Sequence, residues 1–203
     1  MEAFCELRLY QVEAGRMDDM IARLHGPLKM LFQRHGVQPA GCWHTVANAP
    51  HNLFVYIMNW PSLAERHRAW AGFYADPQWH HARHETNRGS ELVERYSLNF
   101  LRPIVPLSPQ LQSQGVHELV LPEIAIGQSV AAQQHMQNLP ASLGKVNAKL
   151  LAAYECMTGD DLPRAAMFIS WPNETAANTA IPQLQQEPLG PAQRFRLQCI
   201  PFD

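Results

Sequence analysis

Short segments in which apolar and polar residues alternate are separated by segments in which apolar residues recur every three or four positions. Phe4–Tyr10 alternates with a period of two, which predicts a strand. From Arg16 to about His35 the apolar spacing is that of one helix face, and Gly36 offers a stop, so a helix is predicted there. Continued through the first half, the pattern predicts two strands, two helical pieces and a fourth strand, over Gly41–Val46, Leu53–Trp60, Ser62 to about Tyr74, a piece starting at Asp76, and Val93–Leu101.

The second half of the chain repeats the first. Glu6-Leu7 recurs as Glu118-Leu119, and Trp60-Pro61 recurs as Trp171-Pro172, at offsets of 112 and 111 residues. Both halves therefore carry the order β-α-β-β-α-β, which is the ferredoxin-like unit. In the second half its segments are predicted over Val116–Leu121, Gln128–Leu139, Lys149–Cys156, Ala165–Trp171, Glu174–Gln186 and Arg194–Ile200.

This duplication predicts an α+β fold made of two ferredoxin-like repeats. We place the N-terminal repeat at residues 1–103, a proline-rich linker at 104–115 and a degenerate C-terminal repeat at 116–203. A four-stranded sheet with helices on one face leaves its other face bare, and two copies in one chain can cover each other. The prediction is a pseudo-twofold barrel with the helices outside; two independent domains are the alternative.

Composition and charge narrow the classes of partner. The 203 residues carry a formal net charge of −2 and no Lys/Arg run, which argues against nucleic acid. The longest apolar runs have the length of a strand, so no membrane span is predicted, and no secretory signal is visible at the N-terminus. A cytoplasmic location is the resulting expectation. The four cysteines are scattered singly, which fits neither a zinc knuckle nor a disulfide framework.

The first half carries several short motifs in a fixed order. They are Glu6-Leu7-Arg8-Leu9-Tyr10, Gly15, Gly41-Cys42-Trp43, Val55–Trp60, Ser62–Arg66 and Asp76-Pro77-Gln78-Trp79. Together they resemble the NIPSNAP family, whose members look like E-L-R-x-Y, a glycine turn, G-x-W, an aromatic third strand, S-L-x-x-R and D-P-x-W. The second half keeps fewer of these residues, with Val120 where Arg8 stands and Pro122 where Tyr10 stands.

The resemblance implies the dimeric α/β-barrel fold, here built within one chain by the tandem copies. It implies little about chemistry, because that superfamily includes cofactor-independent monooxygenases, haem-degrading and haem-dependent enzymes, lactone isomerases and proteins without a settled reaction.

The first strand carries a polar set on one face. Glu6, Arg8 and Tyr10 share that face, because side chains alternate along a strand. Cys5, Leu7 and Leu9 share the other face and are expected to face the helices, which would place the polar set inside the barrel. There, Arg8 would anchor a carboxylate or enolate, Tyr10 would donate a proton and Glu6 would hold Arg8. A purely structural Glu-Arg pair is the alternative.

The third strand adds a set of large side chains. Phe54, Tyr56, Met58 and Trp60 share one face, and Trp43 of the second strand is expected to join them. Ligand pockets are mostly apolar with a few placed polar groups, so these residues are candidate ligand contacts. An ordinary hydrophobic core is the alternative interpretation.

Six of the ten histidines lie in the second half of the first repeat. His80 and His84 are one helical turn apart, but a catalytic zinc usually needs three protein ligands, so no metal site is predicted. His44 or His80 is instead a candidate general base or axial haem ligand. No phosphate-binding glycine loop, G-x-S-x-G, H-E-x-x-H or C-x-x-C occurs.

The resulting hypothesis is an α/β-barrel protein that binds a small, largely apolar or aromatic molecule in its N-terminal repeat. If it is an enzyme, we expect acid-base or oxygenase-type chemistry, such as that of a cofactor-independent monooxygenase or an isomerase. A non-enzymatic binding or assembly module and a haem-binding barrel are the alternatives. Whether the chain forms a homodimer is left open. A single asymmetric site in the first repeat is expected.

Overall fold

A computed structural model describes residues 3–46, 49–108, 116–179 and 187–202. Within these residues the chain divides into two units. The first contains residues 3–45, 50–98 and 200–202, and the second contains 46 and 49 together with the described residues from 99 to 199. The division into residues 1–103, 104–115 and 116–203 remains a prediction, and 109–115 of its linker lies outside the described residues.

The first unit begins with a strand, a glycine turn and an interrupted helix. Gly15 takes a positive φ of 78° in the turn, and Gly127 takes the same value at the equivalent turn of the second repeat. The helix predicted up to His35 is broken by a π-helical segment at Leu24–Leu28, because Pro27 cannot donate a backbone hydrogen bond. The elements are β1 (Phe4–Val12), α1 (Met17–Arg23), α2 (Lys29–His35), β2 (Pro39–Thr45), β3 (Leu53–Trp60), α3 (Leu63–Ala75), α4 (Pro77–Asn87) and β4 (Val93–Val105).

Strand register fixes which side chains of the first unit share a face. β3 lies between β1 and β2 and pairs antiparallel with both. Arg8 lies opposite Tyr56 and Tyr10 lies opposite Phe54. Since residues directly opposite each other point to the same side of a sheet, the polar set of β1 and the aromatic set of β3 occupy one face.

The second unit repeats this arrangement around an apolar core. Its third strand pairs antiparallel with both neighbours, and Val120 lies opposite Met167. The predicted bounds of the second and third strands are reproduced, whereas residues 180–186 of the predicted last helix lie outside the described residues. The elements are β5 (Val116–Ile124), α5 (Ser129–Gly144), β6 (Lys149–Cys156), β7 (Ala165–Trp171), α6 (Glu174–Thr179) and β8 (Leu189–Ile200).

The fold class is α+β, as predicted. The eight strands follow the antiparallel order β1-β3-β2-β8-β5-β7-β6-β4 of a closed barrel. β4 extends to Val105, four residues beyond its predicted end, and so includes the start of the predicted linker. None of the helices in the described ranges has both the length and the apolar character that crossing a membrane requires.

Candidate functional site

The polar face of β1 is turned towards helix α3, so the prediction that Cys5, Leu7 and Leu9 face the helices is wrong. The guanidinium carbon of Arg8 lies 3.8 Å from the centre of the Trp70 ring. The prediction assumed that only apolar side chains of β1 would pack against the helices. Helix α3 supplies the stacking ring and hydrogen-bonding side chains that make their burial possible.

Glu6 is fully buried and accepts four hydrogen bonds. Its Oε1 accepts from Arg8 Nε at 2.7 Å and Arg66 Nη2 at 2.9 Å, and its Oε2 accepts from Trp60 Nε1 and Arg66 Nε, both at 2.7 Å. Burial alone would raise the pKa of Glu6, but the hydrogen bonds and charges of Arg66 and Arg8 outweigh it and lower that pKa. Glu6 is therefore an ionised carboxylate that holds two guanidinium groups.

The second repeat contains the same kind of buried carboxylate. Glu118 accepts from Trp171 Nε1 at 2.9 Å, as Glu6 does from Trp60. Its arginine partners, Arg194 and Arg196, come from β8 rather than from the first strand and a helix. Because the second repeat has this carboxylate as well, it does not distinguish the first repeat, and a different feature does.

The feature that distinguishes the first repeat is a pair of polar residues, which lie two residues from Glu6 along β1 and two from its opposite residue Met58 along β3. Arg8 and Tyr56 lie opposite each other in the first repeat, and the equivalent residues of the second are Val120 and Met167. Val120 and Met167 are fully buried in an apolar core with Met136 of α5 and its neighbours. The second repeat thus fills this position with hydrophobic packing, whereas the first retains a charged and hydroxylated cluster.

Tyr10 is the hydrogen-bond acceptor at the centre of that cluster. Arg8 Nη1 donates to the Tyr10 hydroxyl oxygen at 2.7 Å, and the Tyr56 hydroxyl donates to the same oxygen at 2.7 Å. Within the described part of the chain no group accepts the proton of Tyr10 itself. Burial raises the pKa of Tyr10 although the charge of Arg8 opposes the shift. The arrangement therefore leaves a protonated, polarised phenol with one hydrogen bond to donate.

The Arg8 charge and the Tyr56 proton are both retained. Burial would lower the pKa of Arg8, but its interactions with Tyr56, Tyr10 and Glu6 outweigh this and raise it. Burial raises the pKa of Tyr56 well above its usual value. At neutral pH the cluster thus consists of one cation and two neutral phenols beside an ionised carboxylate.

A cavity of about 400 Å³ lies beside Tyr10, between the sheet and the helices of the first unit. Its volume falls within the range of small-molecule sites. The indole nitrogen of Trp70, in the wall, is buried and has no hydrogen-bond partner in the described ranges. The wall is mostly aromatic and apolar, with contributions from Tyr10, Met20, Arg23, Leu24, Leu28, Phe32, Phe54, Tyr56, Trp70, Phe73, Tyr74, Trp79, His80, Arg83, Glu91, Val93 and Tyr96.

The candidate ligand contacts from the third strand separate into two groups. Phe54 and Tyr56 line the cavity, whereas Met58 and Trp60 are buried on the same face outside its wall. The expectation that Trp43 joins this set is wrong, because Trp43 lies opposite Val55 and so belongs to the other face of the sheet.

The candidate histidines are not brought together. His44 lies opposite Phe54 and its Nδ1 is 3.0 Å from the carbonyl oxygen of Thr45, but it is not part of the cavity wall. His80 lies in the wall at an exposed position of α4, and His84 is exposed one turn later. Over the described residues no three histidine, cysteine or carboxylate side chains are placed to hold one metal ion.

Reasoning from strands missed the helical part of the wall. Trp70 and Phe73 come from α3, Trp79 from α4, and the buried Arg23 from α1. The sequence does place Arg23 on the apolar stripe of its helix, since it is three residues after Met20 and one before Leu24. A charged residue on such a stripe is a candidate for a specific contact.

Several solved structures resemble the whole chain in fold. A proposed monooxygenase from Lactobacillus acidophilus matches with a TM-score of 0.62 at 9% identity, covering 98% of this chain and 94% of that one. An anthrone oxidase-like protein gives 0.61 at 11%, covering 98% and 92%. A chlorite dismutase from Candidatus Nitrospira defluvii gives 0.60 at 11%, also covering 98% and 92%. At these identities the likeness shows the fold alone.

Fold and strand order together define a protein of the dimeric α/β-barrel class. The family model of NIPSNAP matches residues 5–109, which is just over half of the 203 residues. The chain belongs to the NIPSNAP family, and the family resemblance inferred from the sequence is confirmed. No curated protein matches the sequence.

Proposed function

We propose that the first repeat binds a small, largely apolar or aromatic molecule in the cavity beside Tyr10. The observation that carries this proposal is the combination of an aromatic cavity with a phenol whose oxygen already accepts two hydrogen bonds. Such a phenol offers its own proton to an oxygen of the bound molecule. The apolar core at the equivalent position of the second repeat supports a single site per chain.

The cluster suits chemistry in which an oxygen of the ligand gains electron density. Arg8 increases the hydrogen-bonding strength of Tyr10, and the raised pKa of Tyr10 keeps its proton in place at neutral pH. Tyr10 would therefore act as a hydrogen-bond donor or general acid towards a carbonyl or enolate oxygen. His80 is the candidate for moving a second proton, because it is the histidine in the cavity wall.

The test uses 2-naphthol as an aromatic probe that carries one oxygen. Isothermal titration calorimetry should detect binding to the natural chain, and Tyr10→Phe should weaken it by roughly fivefold to tenfold, the value of one good hydrogen bond. Tyr96→Phe is the matched control. Tyr96 lines the same cavity, its ring centre is 5.2 Å from that of Tyr10, and it is 58% exposed. We expect this control to change the affinity by less than about twofold, as for an exposed hydroxyl.

Equal losses of 2-naphthol affinity in Tyr10→Phe and Tyr96→Phe would contradict the donor role of Tyr10. Failure of the natural chain to bind 2-naphthol at millimolar concentration would contradict an aromatic site. Oxygen uptake with anthrone that exceeds the autoxidation rate without protein, and that is lost in Tyr10→Phe, would favour an oxygenase-type enzyme over a binding module.

Haem binding is a second candidate, supported by the position of His80 in the cavity wall. A single imidazole is what a histidine-ligated haem requires from the protein. Reconstitution with haemin that gives a Soret band, lost in His80→Ala but kept in His84→Ala, would favour it over the aromatic ligand.

A further inference from the structure

Arg23 differs from the other buried charged groups of the chain. Among the described residues, buried Glu6, Arg8, Asp76 and Glu118 each form an ion pair within 4.0 Å. Arg23 is only 4% exposed and has no carboxylate within that distance in the same ranges. A buried cation without a counter-charge is costly, so the position calls for an explanation.

Two neutral groups of α4 fix the orientation of this guanidinium. Arg23 Nε donates to Thr86 Oγ1 at 2.8 Å, and Arg23 Nη2 donates to Asn87 Oδ1 at 2.6 Å. Nη1 makes no hydrogen bond within the described part of the chain. Both N–H groups of Nη1 and one of Nη2 are thus left without an acceptor among these residues. A carboxylate can accept from both nitrogens of a guanidinium at once.

The other charges near the cavity do not neutralise Arg23. Glu91, the carboxylate of the cavity wall, accepts from Arg83 at 2.7 Å. Arg16 is held by Glu13 and Asp19, both at 2.9 Å. Burial and the repulsion of Arg83 lower the pKa of Arg23 to about 10, so it remains charged at neutral pH. The cavity wall therefore carries an excess of one positive charge.

We propose that Arg23 binds a carboxylate, or an equivalent oxyanion, on the molecule that occupies the cavity. The inference rests on the proposed function and narrows its ligand to a small aromatic or apolar acid. Arg23 lies in the cavity wall, is held in place from behind by Thr86 and Asn87, and has an unused pair of donors. Tyr10 and Arg23 would then contact two different polar groups of one ligand with an apolar body.

The test compares three naphthalene probes of nearly equal shape. Isothermal titration calorimetry with 2-naphthoate, 2-naphthamide and 2-naphthol should show that the natural chain prefers the carboxylate to the amide by about tenfold or more, as for a charge-assisted hydrogen bond. This comparison needs no variant, so it remains informative if a substitution disturbs folding. Arg23→Gln should remove the preference and leave 2-naphthol binding within about threefold.

Arg68→Gln is the control for a change of charge alone. Arg68 is an exposed residue of α3 outside the cavity wall, and its replacement removes one positive charge from the same unit. We expect the preference for 2-naphthoate to persist in this variant, because exposed charges at a distance are screened by salt.

Three results would contradict these proposals. Equal binding of 2-naphthoate and 2-naphthamide by the natural chain would overturn the role of Arg23 while leaving the aromatic site intact. The same would follow if Arg23→Gln, shown by circular dichroism to be folded, kept the preference. Failure of all three probes to bind would instead overturn the proposed function.

Discussion

Replacing Glu6 by Gln tests whether this carboxylate allows Arg8 and the Trp60 N–H to be buried, and Arg66 to be partly buried, between β1 and helix α3. The substitution preserves size, but it removes the negative charge and turns one acceptor oxygen into a donor NH2. That NH2 would face two N–H donors, because each oxygen of Glu6 accepts two hydrogen bonds. Arg8, only 3% exposed, would lose its charged partner.

Removing one member of a buried ion pair typically costs about 3–5 kcal/mol of unfolding free energy. The lower end applies here, because the Arg66 side chain is 20% exposed and can turn towards water. We expect a loss of about 3 kcal/mol, measured by urea unfolding followed by tryptophan fluorescence. Glu65→Gln is the control, since Glu65 is exposed on the same helix, and it should change stability by less than about 0.5 kcal/mol.

The pH dependence of the unfolding free energy gives an independent check that the ionised form of Glu6 stabilises the fold. Because the pKa of Glu6 is lower in the folded state than in the unfolded chain, its ionisation stabilises the fold above about pH 4.3. That contribution is lost as the pH falls through the folded pKa, so the difference between the natural chain and Glu6→Gln should shrink in acid. A loss below about 1 kcal/mol at pH 7, against the 3–5 kcal/mol of a broken buried pair, would refute the reasoning.

Two further variants probe the scaffold. Trp60→Phe and Trp171→Phe each delete an N–H hydrogen bond to a buried carboxylate, at 2.7 and 2.9 Å. Each should lower the unfolding free energy by about 2 kcal/mol, measured by urea unfolding. Strongly unequal losses would show that the two carboxylates differ in role. Asp76, at the start of α4, has its pKa lowered to about 2 by hydrogen bonds from His35, the Gln78 backbone and Arg34. Its charge stabilises the fold above its unfolded pKa of about 3.9, so Asp76→Asn should lower the melting temperature at pH 6 and flatten its decline between about pH 4 and pH 2; an unchanged decline would contradict this.

The strands and their repetition could be read from the sequence because both are local signals. β3, β6 and β7 begin and end where the alternating and apolar runs predicted, and Gly15 and Gly127 take the same positive φ in their turns. The interruption of the first helix was harder to predict, because the regular apolar spacing continues across Pro27 and gives no sign of the break.

Only part of the candidate site could be predicted from the sequence, for a related reason. Alternation assigns Tyr10 to the same face as Arg8, and register then places Phe54 and Tyr56 beside them. Nothing local to β1 shows that Trp70 and Arg66, some sixty residues later, would neutralise and cover that face. That Arg23 has no ion-pair partner among the described residues is likewise visible only after α1 and α4 are packed together.

The sequence by itself determined the family, the duplicated α+β barrel and the residues that share each strand face, since periodicity and repetition do not depend on distant contacts. Tertiary structure decided which layer covers the polar face of β1, where the cavity lies and which buried charge has no ion-pair partner among the described residues. These depend on the balance between burial and partners contributed by helices far along the chain, and that balance exists only once the helices are packed.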